Sequence, residues 1–167
     1  ETDGTAVGTK AVAELHPGPG AMTITSLASF DGDLYFAVDD GTHGSELWKS
    51  DGTAVGTVMI ADLVPGTGSS TPRGLVEYNS LLYFFAYDQV HDYQVWQTDG
   101  TESGTVRLTD LPSVQYQAGF YKAIDRLFFV ANDGSSNDEL WAFYEETVTP
   151  SHAIYLPLIQ KKKKKTG

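Results

Sequence analysis

Residues 46–57 read ELWKSDGTAVGT, and the second half of this stretch recurs along the chain. Asp-Gly-Thr, followed after two residues by Gly-Thr, occurs at residues 3–9, 51–57 and 99–105, with a spacing of 48 residues. Two further motifs, Leu-Tyr-Phe and Glu-Leu-Trp, recur in identical or similar form, and the order of the motifs along the chain is the same in each copy. Self-similarity at a fixed period of this length indicates a repeat architecture. The sequence therefore predicts three tandem units, at about residues 3–50, 51–98 and 99–146.

The third unit is three residues shorter than the others. Its Leu-Phe-Phe marker at residues 127–129 follows the equivalent Leu-Tyr-Phe at residues 82–84 after 45 residues instead of 48. The missing residues fall near positions 112–118, where the sequence predicts a surface loop. A loop can shorten at little cost in stability.

Four short segments of the middle unit have the composition of β-strands and are separated by turn residues: 57–63, 74–78, 81–87 and 93–98. The turn between the second and third strands is Asp31-Gly32, Asn79-Ser80 or Ile124-Asp125 in the three units. The segment 81–87 is apolar on both faces, so both faces must be covered. Blades of a propeller meet this need because each sheet lies between its neighbours. The expected fold is all-β, a β-propeller-like open array of three four-stranded antiparallel blades, with a β-solenoid as the main alternative.

The charge and composition exclude several classes of protein. The formal net charge of the 167-residue chain is -11, and five of its 11 basic residues form the run 161–165. Phosphate contacts need clustered Lys and Arg, and no such cluster exists before this run, so nucleic acid is not an expected partner. There is no cysteine for disulfides or thiolate sites. No segment reaches the roughly 18 apolar residues of a spanning helix, so no integral membrane segment is expected.

The repeat carries a resemblance to a known family. ELWKSDGTAVGT resembles the ELWxTDGTxxGT repeat of large bacterial secreted or surface proteins, and residues 95–101 repeat it as VWQTDGT. The resemblance covers about residues 1–146 and implies a propeller-type array located outside the cell or on its surface. Trp141 is followed by Ala-Phe-Tyr instead of the Asp-Gly-Thr turn, so we expect the array, within residues 1–149, to end there.

Residues 150–167 are expected to form a tail with a short apolar segment, 154–159, before the lysine run. This apolar segment resembles the terminal Tyr-Leu-Pro-Leu of some bacterial surface proteins. Three blades are fewer than a closed propeller needs. The chain is therefore expected to be the C-terminal piece of a longer array, with further blades of the parent chain as partners. Alone, it is expected to associate through its exposed sheet edges.

The turns after the third strands are acidic, and calcium is bound by oxygen-rich loops of this kind. The candidate ligands are Asp39, Asp40, Glu46, Asp133 and Asp138. None of these loops has EF-hand spacing. The alternative is that the Asp side chains cap local backbone groups in ordinary turns.

Aromatic and histidine residues do not form an evident catalytic or sugar-binding set. The tryptophans at positions 48, 96 and 141 are predicted to pack in the core, with sugar stacking as the alternative. The histidines at positions 16, 43, 91 and 152 share no metal-ligand spacing. No nucleophile elbow, phosphate loop or dinucleotide fingerprint is present. Among near-copies of one unit, residues with a special role should differ from their counterparts.

The sequence therefore predicts a protein that is not an enzyme and has no obligatory cofactor. The expected function is that of a structural or adhesive module of a secreted or cell-surface bacterial protein, with a protein or glycan as ligand. The alternative is the last blades of a secreted glycan-processing enzyme whose catalytic residues lie outside this chain.

Overall fold

A computed structural model describes residues 4–16, 22–135 and 137–144 of the chain. These residues form three four-stranded antiparallel sheets, as expected for an all-β repeat. Sheet A contains β1 (Thr25–Phe30), β2 (Asp33–Asp39), β3 (Ser45–Ser50) and β4 (Val58–Ala61). Sheet B contains β5 (Arg73–Tyr78), β6 (Leu81–Asp88), β7 (Asp92–Thr98) and β8 (Val106–Arg107). Sheet C contains β9 (Ser113–Val114), β10 (Tyr121–Ala123), β11 (Arg126–Asn132) and β12 (Glu139–Tyr144), and a short 3-10 helix, Tyr116–Ala118, precedes β10.

The first strand position of each sheet has the same irregularity. In sheets A and B the pairing of the first two strands shifts register, as it does at a β-bulge. In sheet C this position is divided, and β9 and β10 pair with opposite ends of β11. Ser26, Gly74 and Gly119 have positive φ angles of 55°, 63° and 73° at this irregularity. Their spacings of 48 and 45 residues are those of the sequence repeat, so the bulge belongs to the repeat.

The sheets are offset from the predicted grouping of strands. The sequence interpretation placed residues 57–63 in one blade with 74–98, and this grouping is wrong. Strand β4 pairs with β3 and completes sheet A, while β8 completes sheet B in the same way. The physical reason is that the Asp-Gly-Thr turn connects two antiparallel neighbours, and a tight turn leaves the returning strand beside the one it follows.

The predicted turns between the first two strands of each sheet are confirmed. Asp31 and Gly32 have φ angles of 48° and 86°, and Asn79 and Ser80 have φ angles of 49° and 58°. Positive φ at both central residues is the mark of the type I′ hairpin turn, which matches the twist of the strands. Ile124 has a φ of 59°, although a β-branched residue is disfavoured there.

Sheet B lies between the other two sheets, so both faces of β6 are covered as predicted. Leu82, Phe84 and Ala86 face sheet A and pack with a buried cluster that includes Tyr35 and Leu47. The alternate residues of β6 face sheet C and pack with a second cluster, whose members are Tyr83, Phe85, Val95, Val114, Leu127, Phe129, Ala131, Trp141 and Phe143. The alternation of a strand places successive side chains on opposite faces, which gives β6 two cores to fill.

The three tryptophans occupy equivalent strand positions but are not equally packed. Trp141 is buried in the cluster between sheets B and C, and Trp96 packs against the cluster between sheets A and B. Their indole N–H groups donate to the carbonyl oxygens of Ala131 and Ala86, at 3.1 and 3.2 Å. Trp48 is half-buried, and its Nε1 has no hydrogen-bond partner among the described residues. Core packing is therefore confirmed for Trp96 and Trp141 but not for Trp48.

Candidate functional site

The Asp-Gly-Thr turn of the repeat is held by its own side chains. Asp51 Oδ1 accepts hydrogen bonds from the backbone N–H and the hydroxyl of Thr53, both at 2.8 Å. Thr53 Oγ1 accepts a third bond from the Gly56 N–H at 2.9 Å. A Cβ on Gly56 would lie 2.0 Å from Asp51 Oδ1, which explains the second glycine of the motif. The hydrogen bonds from Thr53 lower the pKa of Asp51.

The next copy of the turn repeats this arrangement. Asp99 Oδ1 accepts from the Thr101 N–H at 2.9 Å and from its hydroxyl at 2.7 Å, and these bonds lower the pKa of Asp99. A Cβ on Gly104 would again lie 2.0 Å from the carboxylate. The polar residues of the motif are therefore used to build the turn and are not available as a repeated ligand site.

Glu46, a candidate calcium ligand, is fully buried and anchors the connection from β4 to β5. Its carboxylate accepts hydrogen bonds from the backbone N–H groups of Ser70 at 2.9 Å and Leu63 at 3.2 Å, and from the Ser70 hydroxyl. Burial raises the pKa of Glu46 to about 7. Gln94, at the equivalent position of sheet B, anchors the next connection through the N–H and C=O of Leu111. The acidic residue of Glu-Leu-Trp thus has a structural role.

Asp39, the last residue of β2, and Asp40, which follows it, bond to the backbone of the turn between β2 and β3. Asp39 Oδ1 accepts from the Gly41 N–H at 2.7 Å. Asp40 Oδ1 accepts from the N–H groups of Thr42 at 2.9 Å and His43 at 2.8 Å. These bonds match the alternative to calcium binding, in which Asp side chains cap local backbone groups in ordinary turns.

The other two calcium candidates lie near the turn between β11 and β12. Asp133 Oδ1 accepts from the Ser135 N–H at 3.0 Å, and Asp138 Oδ1 accepts from Gln115 Nε2 at 3.4 Å. Within residues 4–16, 22–135 and 137–144, no three His, Cys, Asp or Glu side chains are close enough together to hold a metal ion. The five candidates are not brought into one site, and calcium binding stays a prediction.

Two of the histidines belong to a repeated turn, which their lack of metal-ligand spacing does not reveal. His43 Nδ1 lies 2.8 Å from Asp40 Oδ2, and His91 Nδ1 lies 2.9 Å from Asp88 Oδ1. The hydrogen bond with Asp40 raises the pKa of His43. The two pairs are separated by 48 residues, so comparison of the copies would have identified them as parts of the repeat.

A cleft of about 390 Å³ is lined by residues from the ends of sheets A and B. Sheet A and the chain preceding it supply polar side chains together with Met22, while the segment entering sheet B supplies Arg73. The lining residues are His16, Met22, Thr23, Thr25, Ser26, Asp39, Ser45, Thr71, Pro72 and Arg73. Of the predicted calcium ligands, Asp39 alone lines this cleft.

Arg73 is held in the cleft by aromatic rings. Its guanidinium carbon lies 5.4 Å from the ring centre of Tyr116 and 6.0 Å from that of Tyr93, within cation–π range. The two tyrosine rings stack on each other with centroids 4.0 Å apart. The other two arginines have carboxylate partners: Arg107 pairs with Asp88 at 3.4 Å and Arg126 with Asp125 at 3.6 Å. The Arg73 guanidinium forms no hydrogen bond or ion pair with a described residue.

Thr71 lines the cleft in a disfavoured backbone conformation. Its φ is 43°, which is an outlier for a β-branched residue. The conformation is fixed by a hydrogen bond from the Thr71 N–H to the Ser45 carbonyl at 3.0 Å and by a hydroxyl contact with Tyr93. Strain of this kind is commonly retained where a site needs a fixed shape.

The arginine of the cleft is not part of the repeat. The positions equivalent to Arg73 are Thr25 in sheet A and Ala118 in the segment entering β10. Sequence reasoning expected residues with a special role to differ between copies, but it did not identify Arg73. A residue-by-residue comparison of residues 25, 73 and 118 would have singled it out.

The part of the chain that the structure describes contains no helix of sufficient length and apolarity to cross a membrane. The tail, residues 150–167, and the apolar segment 154–159 lie outside the described residues. Comparisons with protein-family models, with characterised proteins and with solved structures give no match.

Proposed function

We propose that this chain is a non-catalytic binding module of a bacterial secreted or cell-surface protein, built from propeller-like blades. Its sheets supply a rigid stack, and residues that differ between the blades supply the ligand site. The ligand is a glycan or a protein, and further blades of the same parent chain are expected to continue the stack.

The observation that carries this proposal is a division of roles between shared and unshared residues. The polar residues of the repeat motifs, such as Asp51, Asp99 and Glu46, have hydrogen-bond partners within turns and connections. The cleft instead contains Arg73, and the equivalent positions of the other two units are occupied by Thr25 and Ala118. Binding residues are commonly placed on loops and element ends that a rigid scaffold positions.

The stacking of the sheets supports the propeller-like arrangement. The same strand face, marked by Trp96 in sheet B and Trp141 in sheet C, packs against the preceding sheet in both cases. Each sheet is thus related to the next by the same contact. Repetition of one such contact is the geometric basis of a propeller.

The proposal can be tested by exposing the labelled 167-residue chain to an array of glycans and extracellular proteins. We expect saturable binding to a small group of related ligands, with each bound ligand recovered chemically unchanged. Cleavage of a bound glycan would contradict the non-catalytic assignment. Failure to bind any member of a broad array would contradict the binding function itself.

A further inference from the structure

Arg73 determines the charge of the ligand that the cleft can accept. Its planar guanidinium stays ionised and presents a fork of N–H donors that matches a carboxylate in a bidentate manner. The rings of Tyr93 and Tyr116 orient this group. Because no described carboxylate pairs with Arg73, its donors are available to a ligand. No other Lys or Arg lines the cleft, and Asp39 does, so a singly charged carboxylate suits it better than a dianionic phosphate.

The remainder of the lining matches a ligand that is rich in hydroxyl groups. The lining includes Thr25, Ser26 and Ser45, whose hydroxyls can both donate and accept hydrogen bonds, and Asp39, whose carboxylate can accept them. The hydroxyls of Thr25 and Ser26 form no hydrogen bond with a described residue. The volume of about 390 Å³ is within the range of sites for small ligands.

We propose that the cleft binds a carboxylated sugar, such as a hexuronate residue of an acidic glycan. This ligand class deepens the proposed binding function and rests on it. The sugar carboxylate pairs with Arg73, and the ring hydroxyls bond to Asp39 and to the serine and threonine hydroxyls. The opposite charges of Arg73 and Asp39 give the bound sugar one preferred orientation.

The test is a calorimetric titration of the 167-residue chain with a galacturonic acid disaccharide and, separately, with the corresponding galactose disaccharide. We expect the acidic disaccharide to bind a few-fold to about tenfold more tightly, because the charge-assisted contact favours the carboxylate while solvent screens the exposed Arg73. Arg73→Ala should abolish the difference between the two sugars. Arg73→Lys keeps the positive charge but lacks the planar set of N–H donors, so it should retain only part of the difference in affinity.

Arg126→Ala is the matched control, because it removes one exposed arginine that is paired with Asp125 in sheet C. It should leave the affinity for the acidic disaccharide unchanged. Circular dichroism would confirm that each variant is folded, and if Arg73→Ala is not folded, Arg73→Lys decides the outcome.

Equal affinity for the two disaccharides, or unchanged acidic-sugar binding in the Arg73 variants, would overturn the assignment. Stronger binding of a tetraglutamate peptide than of the acidic disaccharide would also overturn it and indicate a protein ligand. If the chain binds other ligands on the array while these titrations fail, the binding function stands and the ligand class is wrong.

Discussion

Glu46 in sheet A and Gln94 in sheet B occupy equivalent positions and have the same structural role. Of these two residues only Glu46 can ionise, so this position is pH-dependent in sheet A but not in sheet B. Both side chains are buried and hold the connection to the next sheet. Burial raises the pKa of Glu46 from 4.5 to about 7. The folded chain therefore retains this proton at a pH where the unfolded chain has lost it. The resulting stabilisation is complete below about pH 4.5 and is lost as the pH rises through about 7.

Glu46→Gln should remove this pH dependence. Between pH 4.5 and 7, the free energy of unfolding of the variant should rise relative to that of the wild type by about 3 kcal/mol, from the size of the pKa shift. Urea denaturation followed by tryptophan fluorescence at a series of pH values measures this difference. Glu77→Gln, which neutralises an exposed glutamate of β5, should run parallel to the wild type. A parallel profile for Glu46→Gln as well would contradict the account.

Ile124 is a local conflict between residue and backbone. It is 98% exposed and has a φ of 59°, where Asp31 and Asn79 stand in the other two units. Asn tolerates this conformation and a β-branched side chain does not, so Ile124→Asn should stabilise the chain by about 1 kcal/mol. A higher midpoint in thermal unfolding would show it. Val90→Asn is the control, because Val90 is 81% exposed without positive φ, and an equal gain there would remove the backbone explanation.

At the scale of the element, the Asp-Gly-Thr turn both closes a hairpin and contacts another sheet. Gly52 and Gly100 have the same φ of +90°, which disfavours any side chain. Gly52 has no atom within 4 Å of a Cβ position, whereas a Cβ on Gly100 would lie 2.4 Å from the Tyr35 hydroxyl of sheet A. Tyr35 is buried, so it has little freedom to move away.

Substitution of these two glycines separates backbone strain from packing. Gly52→Ala should cost roughly 1 to 2 kcal/mol for the positive φ alone. Gly100→Ala should cost a further 1 to 3 kcal/mol, roughly, because it overpacks the contact with Tyr35. Chemical denaturation of the two variants measures both terms. Equal destabilisation would show that the turn of residues 99–105 does not press against sheet A.

At the scale of the whole molecule, the sequence predicted what local interactions determine. The turns at residues 31–32 and 79–80 could be recognised because positive φ restricts the residue types allowed there. The need to cover both faces of β6 followed from its uninterrupted apolar run. The grouping of strands into sheets was wrong because the repeat boundary in sequence falls at the turn between β3 and β4, inside a sheet.

The cleft could not be predicted in the same way. Asp39, Arg73 and Tyr116 are far apart in the sequence and meet through the packing of the sheets. Tyr116 belongs to no recognisable motif, Arg73 is marked only by the comparison of the three copies of the repeat, and Asp39 was identified only as part of an acidic loop. The acidic loops attracted notice because their carboxylates are close in sequence, yet those carboxylates bond to their own turns.

The central claim is that the three sheets stack face to face with sheet B in the middle, and amide hydrogen exchange tests it most directly. Strand β6 is covered on both faces and paired on both sides, so the hydrogen bonds of its amides should break only when the core unfolds. In β11, the central strand of sheet C, Phe128 and Val130 are only half-buried. Mass spectrometry should therefore show the slowest exchange at residues 81–88 and faster exchange at residues 126–132. Equal or slower exchange at residues 126–132 would contradict the stacked arrangement.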